Sequence, residues 1–342
     1  MNRPFFFFNS FIASVFSADE DGVSSAFDEQ WQDTWRSKWV DPYPQMTGIQ
    51  WFPVLGNHDY KQGLSAAKTQ VDRTKATDDD EWQFPSKTWT KTFTVGFESE
   101  LVLIAIDTQE IDFSGYAYTE AIFTISDVDL AVARLEVELA SAAKLPTTQW
   151  IVVMGHFPIL SRGEHGDNEV LCDLLLPLFA KYGVDAYYAG HDHTMQHLEY
   201  ADMHFVISGN GAKRGIVVDD DSTAETYLSS EYVTQLSVVD PGFTVHSVNA
   251  SRMTTSFIDS SGTTIHYFEQ VPRCKRSCHE EASVNKGIFQ RAILQLVLLS
   301  AVALVIGCVF VVIGMMSRYS TSRIIHVKNA ESKPLLREEE GT

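Results

Sequence analysis

Three short apolar runs, Trp51–Leu55, Trp150–Met154 and Val184–Ala189, each run into a glycine and then a histidine-rich turn. The turns are Gly56-Asn57-His58-Asp59, Gly155-His156 and Gly190-His191-Asp192-His193. No other feature of the chain constrains its fold as much. Apolar runs of this length read as buried strands. Polar groups just past strand ends belong to loops that a rigid sheet holds in place. Imidazole and amide oxygen are good ligands for zinc-, iron- or manganese-type cations. Asn57, His156, His191 and His193 are therefore expected to converge on metal, and metal-dependent hydrolysis is the chemistry such a set serves.

Further strands are expected at Thr92–Val95, Leu101–Asp107, Met203–Ser208, Gly242–Val248 and Thr263–Phe268, with the first run extended to Gln50–Leu55. Asp127–Ala143 carries Val128, Leu130, Val132, Leu135 and Leu139 at helical spacing, and Asn168–Tyr182 reads as a second helix. Alternation of the two predicts an α/β fold built on a single core. Lys plus Arg number 26 against 45 Asp plus Glu, a net charge of −19. That balance excludes a nucleic-acid partner, since a phosphate backbone needs a basic face. Cys172, Cys274, Cys278 and Cys308 have no zinc-site spacing. His197, His204, His246, His266, His279 and His326 follow no motif and are read as core or solvated side chains.

The motifs Phe52-Pro53-Val54-Leu55-Gly56-Asn57-His58-Asp59-Tyr60, Trp82-Gln83-Phe84-Pro85-Ser86, Gly155-His156-Phe157-Pro158, Glu164-His165-Gly166 and Phe205-Val206-Ile207-Ser208-Gly209-Asn210-Gly211 occur in this order. Together they resemble the calcineurin-like metallophosphoesterases, and within them the purple acid phosphatases of the small, tartrate-resistant type. The resemblance runs from about Asp21 to about Glu269. It implies a two-sheet sandwich flanked by helices, Fe(III) plus a divalent metal (Fe, Zn or Mn), and phosphomonoester substrates. By the same resemblance Asn57, His156 and His191 hold the divalent metal and His193 the iron. His58 and His165 contact the phosphate and protonate the leaving alkoxide. Two adjacent cations would neutralise the phosphoryl oxygens and acidify a water, and an imidazolium suits a general acid below neutral pH.

The chain departs from this pattern near its start. The family's Asp-x-Gly and Gly-Asp-x-x-Tyr motifs are not in the sequence, and Val15-Phe16-Ser17-Ala18-Asp19 stands where the second is expected. The expectation is a truncated or alternatively spliced product of a complete phosphatase gene. The alternatives are a catalytically impaired member acting as a non-catalytic membrane glycoprotein, and a phosphodiesterase of the wider superfamily.

Ala292–Met316 holds no charged residue over about 25 positions, roughly 37 Å of helix against a hydrocarbon core of ~30 Å. A single membrane span is expected. Residues 1–18 are read as a signal peptide or an artefactual N-terminus, and 19–270 as the phosphoesterase domain. Residues 271–287 form a luminal stalk in which Cys274 and Cys278 are spaced for a small-loop disulfide. Residues 288–317 are assigned to the membrane helix and 318–342 to a cytoplasmic tail. The tail sequence Glu331-Ser332-Lys333-Pro334-Leu335-Leu336 resembles an acidic dileucine signal read by clathrin adaptors. With the sequon Asn249-Ala250-Ser251, these features predict a luminal glycoprotein of lysosome, vacuole or endosome.

Overall fold

Runs of consecutive apolar residues suit strands covered on both faces, and the chain supplies three of them side by side. In the computed structural model, residues 22–77, 81–211, 214–217 and 231–272 are described. Its strands are β1 Trp89–Gly96, β2 Ser99–Ala105, β3 Thr148–Met154, β4 Ala186–Ala189, β5 Met195–Tyr200, β6 Met203–Ser208, β7 Val233–Val238, β8 Gly242–Val248, β9 Met253–Asp259 and β10 Thr264–Gln270. The first seven form one sheet in the order β1-β2-β3-β4-β6-β5-β7, and the last three a second, antiparallel sheet ordered β10-β9-β8. The neighbours β2, β3, β4 and β6 run parallel. They are buried almost throughout, as strands covered on both sides must be. β1 sits antiparallel at the edge and alternates between covered and exposed. This is the predicted α/β class, with a mixed sheet and a smaller second sheet.

Four longer helices accompany the sheets: α1 Trp31–Val40, α2 Leu64–Ala76, α3 Ile125–Lys144 and α4 Glu169–Tyr182. Thr124 and Asp127 close a capping box at the start of α3. Asn168 caps α4, accepting from the Leu171 amide at 2.9 Å, and Gly183 ends it in the left-handed region at φ 65°. On α3 the buried stripe is Ala131, Leu135, Leu139 and Ala142. The expected member Leu130 is 61% exposed. It falls one residue off that i, i+4, i+8, i+11 row, and the small Ala131 takes the core side instead.

Most predicted strands appear within a few residues, but one region differs. Gln50–Leu55 is extended without being a strand of either sheet; Trp51 makes only an isolated parallel bridge to Trp82. Its amide and carbonyl pair with Glu81 and Gln83, and among the described residues no strand pairs along its other edge. Strands β5, β7 and β9 and helices α1 and α2 were not anticipated. The expected signal peptide, Cys274–Cys278 disulfide, membrane helix Ala292–Met316 and dileucine tail lie outside the described residues. Cys172 is a buried free thiol.

Candidate active site

Parallel strands in register deliver their following loops to one end of the sheet. Met154, the last residue of β3, pairs with Tyr188 of β4. His156 and His191 each stand two residues past their strand's end. Nε2 of His156 comes within 3.1 Å of Nδ1 of His191 and 2.9 Å of Oδ1 of Asn57. Asn57 begins a tight turn, Asn57–Tyr60. Asp59 fixes that turn by accepting from the Gly56 amide at 2.8 Å and from Gln70 of α2 at 2.9 Å. The Tyr60 hydroxyl donates to the buried Asp107, just beyond β2. Thr108 then accepts from the Phe157 amide at 3.1 Å, tying the His156 loop to the end of β2.

Glycine is required where these loops cross. A Cβ on Gly155 would lie 2.5 Å from the Tyr187 hydroxyl, and one on Gly209 would lie 1.8 Å from the Asp192 carbonyl oxygen. Both distances are far inside van der Waals contact, which explains the glycine in each motif. His191 adopts φ 62°, a conformation costly for a side chain with Cβ and typical of functional sites.

The electrostatics follow from burial. His156 is held uncharged by burial first, then by the neighbouring His58, His193 and His165, and its pKa falls to about 3. Burial and the same histidine cluster push His191 down as well. Neutral imidazole is the form that binds metal. His165 goes the other way: its hydrogen bond to Asp192 raises its pKa, against a smaller opposing effect of burial. Asp192 is fully buried and also accepts from the Ser161 hydroxyl. The His165 ring lies over His191, centroids 4.2 Å apart. A cleft of about 360 Å³ opens beside them, lined in part by Tyr116, Phe157, His165 and His191.

The structure thus brings together Asn57, His156, His191 and His165, with His58 and His193 in the same electrostatic neighbourhood. His193 is half-buried, and its carbonyl accepts from the Gly215 amide at 2.7 Å. The carboxylate and tyrosine partners that the family pattern implies for it are not in the sequence; Val15–Asp19, which stands where the second motif is expected, lies outside the described residues. The donor set of Asn57, His156 and His191 fits one divalent cation in its chemistry: an amide oxygen and a second imidazole nitrogen both lie within 3.1 Å of Nε2 of His156. Reading the sequence missed Asp192, Asp107 and Tyr116, whose hydroxyl lies 3.4 Å from Nε2 of His191. Asp192 had a signal, since it stands inside the Gly-His-Asp-His turn. Tyr116 had none.

A family profile described as calcineurin-like phosphoesterase matches residues 19–195, over half of the chain. The chain belongs to that family. Tartrate-resistant acid phosphatase type 5 of Rattus norvegicus is 30% identical over 263 residues, covering 75% of this chain and 76% of the rat protein. Purple acid phosphatase 17 of Arabidopsis thaliana is 32% identical over 205 residues, 57% of this chain and 56% of its own length. Among solved structures, GAP50, the anchor in the inner membrane complex of Plasmodium, superposes with a TM-score of 0.60 at 23% identity. That match covers 74% of this chain and 75% of GAP50, and at this identity it bears on the fold alone. The calcineurin-like phosphoesterase reading of the motifs therefore holds, and within the family the chain is purple acid phosphatase-like.

Proposed function

We propose that this purple acid phosphatase-like chain hydrolyses phosphate monoesters at acid pH. The observation that carries the reading is the meeting of Asn57 Oδ1, His156 Nε2 and His191 Nδ1 beneath an imidazole, His165, that Asp192 keeps protonatable. Asn57, His156 and His191 would hold a divalent Fe, Zn or Mn ion, and His193 would contribute to an Fe(III) site. Bound metal would neutralise the phosphoryl oxygens and make a water nucleophilic. The chain's own residues do the rest. His58 and His165 face the phosphate, and His165 passes its proton to the departing alkoxide. Asp192 fixes the His165 ring through Nδ1, leaving Nε2 to deliver the proton. Asp112, Asp167 and Glu169 along the cleft disfavour a second anionic group on the alcohol.

His191→Ala should abolish p-nitrophenyl phosphate hydrolysis at about pH 5; unchanged turnover would overturn the proposal. A second reading, a non-catalytic membrane glycoprotein, is motivated by the missing Asp-x-Gly and Gly-Asp-x-x-Tyr motifs. Metal content separates the two, since a dinuclear enzyme carries metal at this centre and a binding protein need not. Faster hydrolysis of bis-p-nitrophenyl phosphate than of the monoester would favour a phosphodiesterase.

The proposal includes a place in the cell. Ala292–Met316 anchors the chain with the phosphatase domain luminal, and Glu331–Leu336 routes it to lysosome, vacuole or endosome. A chain ending before Ala292 should be released from membranes, and Leu335→Ala with Leu336→Ala should shift the full chain to the cell surface. Retention of the truncated chain, or an unaltered location of the double variant, would remove the respective part.

A further inference from the structure

The loops of the candidate active site gather at one end of the parallel strands. At the other end, between the two sheets, lies a second group of nitrogen and oxygen ligands. His197 and Glu199 are two apart on β5, so they share a face. His204, at the start of β6, is the cross-strand partner of Glu199 and projects from that face too. His204 also pairs with Ala186 at the start of β4. The five steps along the chain from Ala186 to His191 put this group roughly 15 Å from the first centre by strand rise.

The spacings suit a metal. Nε2 of His197 lies 2.9 Å from Nδ1 of His204 and 3.6 Å from Oε1 of Glu199, and those last two atoms are 3.9 Å apart. A circle through three points so spaced has a radius of about 2.0 Å, the length of a zinc–imidazole or zinc–carboxylate bond. Among the described residues, this is the one group of three His, Cys, Asp or Glu whose ligand atoms all lie within 4.8 Å of one another.

The surroundings hold the ligands in place. Nδ1 of His197 lies 2.9 Å from Nε2 of His266 on β10, in the second sheet. Phe268, also on β10, stacks on the His197 ring with centroids 3.7 Å apart and planes 12° off parallel. With Nδ1–H donated to His266, the His197 Nε2 lone pair faces His204 and Glu199. Metal-ligating histidines are oriented in this way, by a partner on the other ring nitrogen. A chain of hydrogen-bonded histidines alone would explain the two 2.9 Å contacts. It would not explain a carboxylate placed against both ligand nitrogens.

We propose that His197, Glu199 and His204 form a second metal site, for a zinc-type divalent cation, with His266 as the orienting partner. Two imidazoles and one carboxylate make a common zinc set whose fourth position is left to water. Glu199 and His204 are partly exposed, which gives the ion a route in. The ion would clamp β5 to β6 and, through His266, brace the second sheet against the first. The site is independent of the phosphatase reading.

The test uses the full 342-residue chain in detergent, carrying His191→Ala to disable the first centre, stripped with chelator and dialysed against zinc chloride at pH 7. Zinc is counted by mass spectrometry, and cobalt(II) serves as a spectroscopic probe. The expected result is zinc bound at micromolar concentration, a tetrahedral cobalt absorption band, and a raised melting temperature. Glu199→Gln, which keeps the side chain's shape, should remove one zinc equivalent and weaken affinity at least tenfold, with far-UV circular dichroism unchanged. His204→Ala should do the same. Zinc content and cobalt spectrum indifferent to both substitutions, or no zinc uptake up to millimolar concentration, would overturn the proposal.

Discussion

Asp192 holds the position of the Gly-His-Asp-His turn that carries no implied metal ligand, and its burial turns it into the support for His165. Removing the proton donor itself, His165→Ala, should lower kcat by roughly 10²- to 10⁴-fold, the usual worth of a positioned general acid. Asp192→Asn should cost a smaller factor, about 10- to 100-fold, by releasing the His165 ring. Because the two act as one unit, the double variant should be no slower than His165→Ala alone. Additive losses in kcat on p-nitrophenyl phosphate would show that Asp192 does something else. Close packing is tested at Gly155: its replacement by Ala drives a Cβ into the Tyr187 hydroxyl and should destabilise by about 1–3 kcal/mol in urea titration. At this scale the sequence was informative wherever a residue followed a strand end. Asn57, His156 and His191 are legible because strand, glycine and ligand are consecutive. Asp192 was not singled out, since a loop carboxylate is ordinarily solvated; its burial depends on Ser161 and Gly163 folding over it. Tyr116 reaches His191 from a loop with no motif. His197 and His204 lie on adjacent strands whose register no single-sequence pattern fixes.

Helix α1 reaches the core through its tryptophans. It is wound with the wide π turn from Trp31 to Val40, and at its end the Asp41 amide bonds the Arg36 carbonyl at 2.8 Å; Trp31 and Trp35 lie on its covered side. Trp35 is fully buried, edge-on to Trp82 at 5.0 Å and to Trp51 at 6.1 Å, while the Arg73 guanidinium covers Trp31 at 4.2 Å. Trp35→Ala should therefore cost about 3–5 kcal/mol. Limited trypsin digestion should then cut first within 31–77, and cleavage spread evenly over the domain would contradict the assignment of this cluster as the anchor of α1. The same cluster accounts for what the sequence hid. Trp31, Trp35 and Trp39 are separated by polar residues, and a wide-wound helix does not keep the 3.6-residue period that reveals an amphipathic face. Strand β5 reads Met-Gln-His-Leu-Glu-Tyr, and its Gln196 and His197 are buried only because hydrogen bonds satisfy them. β7 is an edge strand with little burial, and β9 is rich in Thr and Ser. The central strands β2, β3, β4 and β6 were legible as apolar runs, because burial on both faces leaves no room for polar residues.

Across the whole domain, burial has set two groups of titrating side chains against each other. His156, His197 and His246 are pushed down to about 3 and His191 is pushed down as well, each chiefly by burial. A histidine depressed in the fold contributes stability that is present above its ordinary value of 6.5 and is lost as pH falls toward 3. Asp59 and Asp107 are pushed up to about 7, again chiefly by burial. Their contribution has the opposite sign: it is fully present below 3.8 and is lost as pH rises through 7. Between pH 6.5 and 4 the unfolded chain therefore binds protons on the histidines that the fold excludes, and releases protons from the carboxylates that the fold retains. The histidines outnumber the carboxylates, so the balance is roughly two protons in favour of the unfolded state, and the metal-free domain should weaken on acidification. Urea midpoints of chelator-treated protein should be lower at pH 5 than at pH 7. His246 isolates one contribution away from both metal sites, since it is buried between Thr255 at 2.9 Å and Thr244 at 3.1 Å and stacks on Tyr188. Its replacement by Gln keeps a hydrogen-bonding group there but removes the titration, worth roughly 3 kcal/mol between pH 7 and pH 4 for one fully buried imidazole. His246→Gln should thus shrink the gap between the two midpoints. A higher midpoint at pH 5 than at pH 7 in the parent would mean that the carboxylates dominate, and that the fold is itself stabilised by acid.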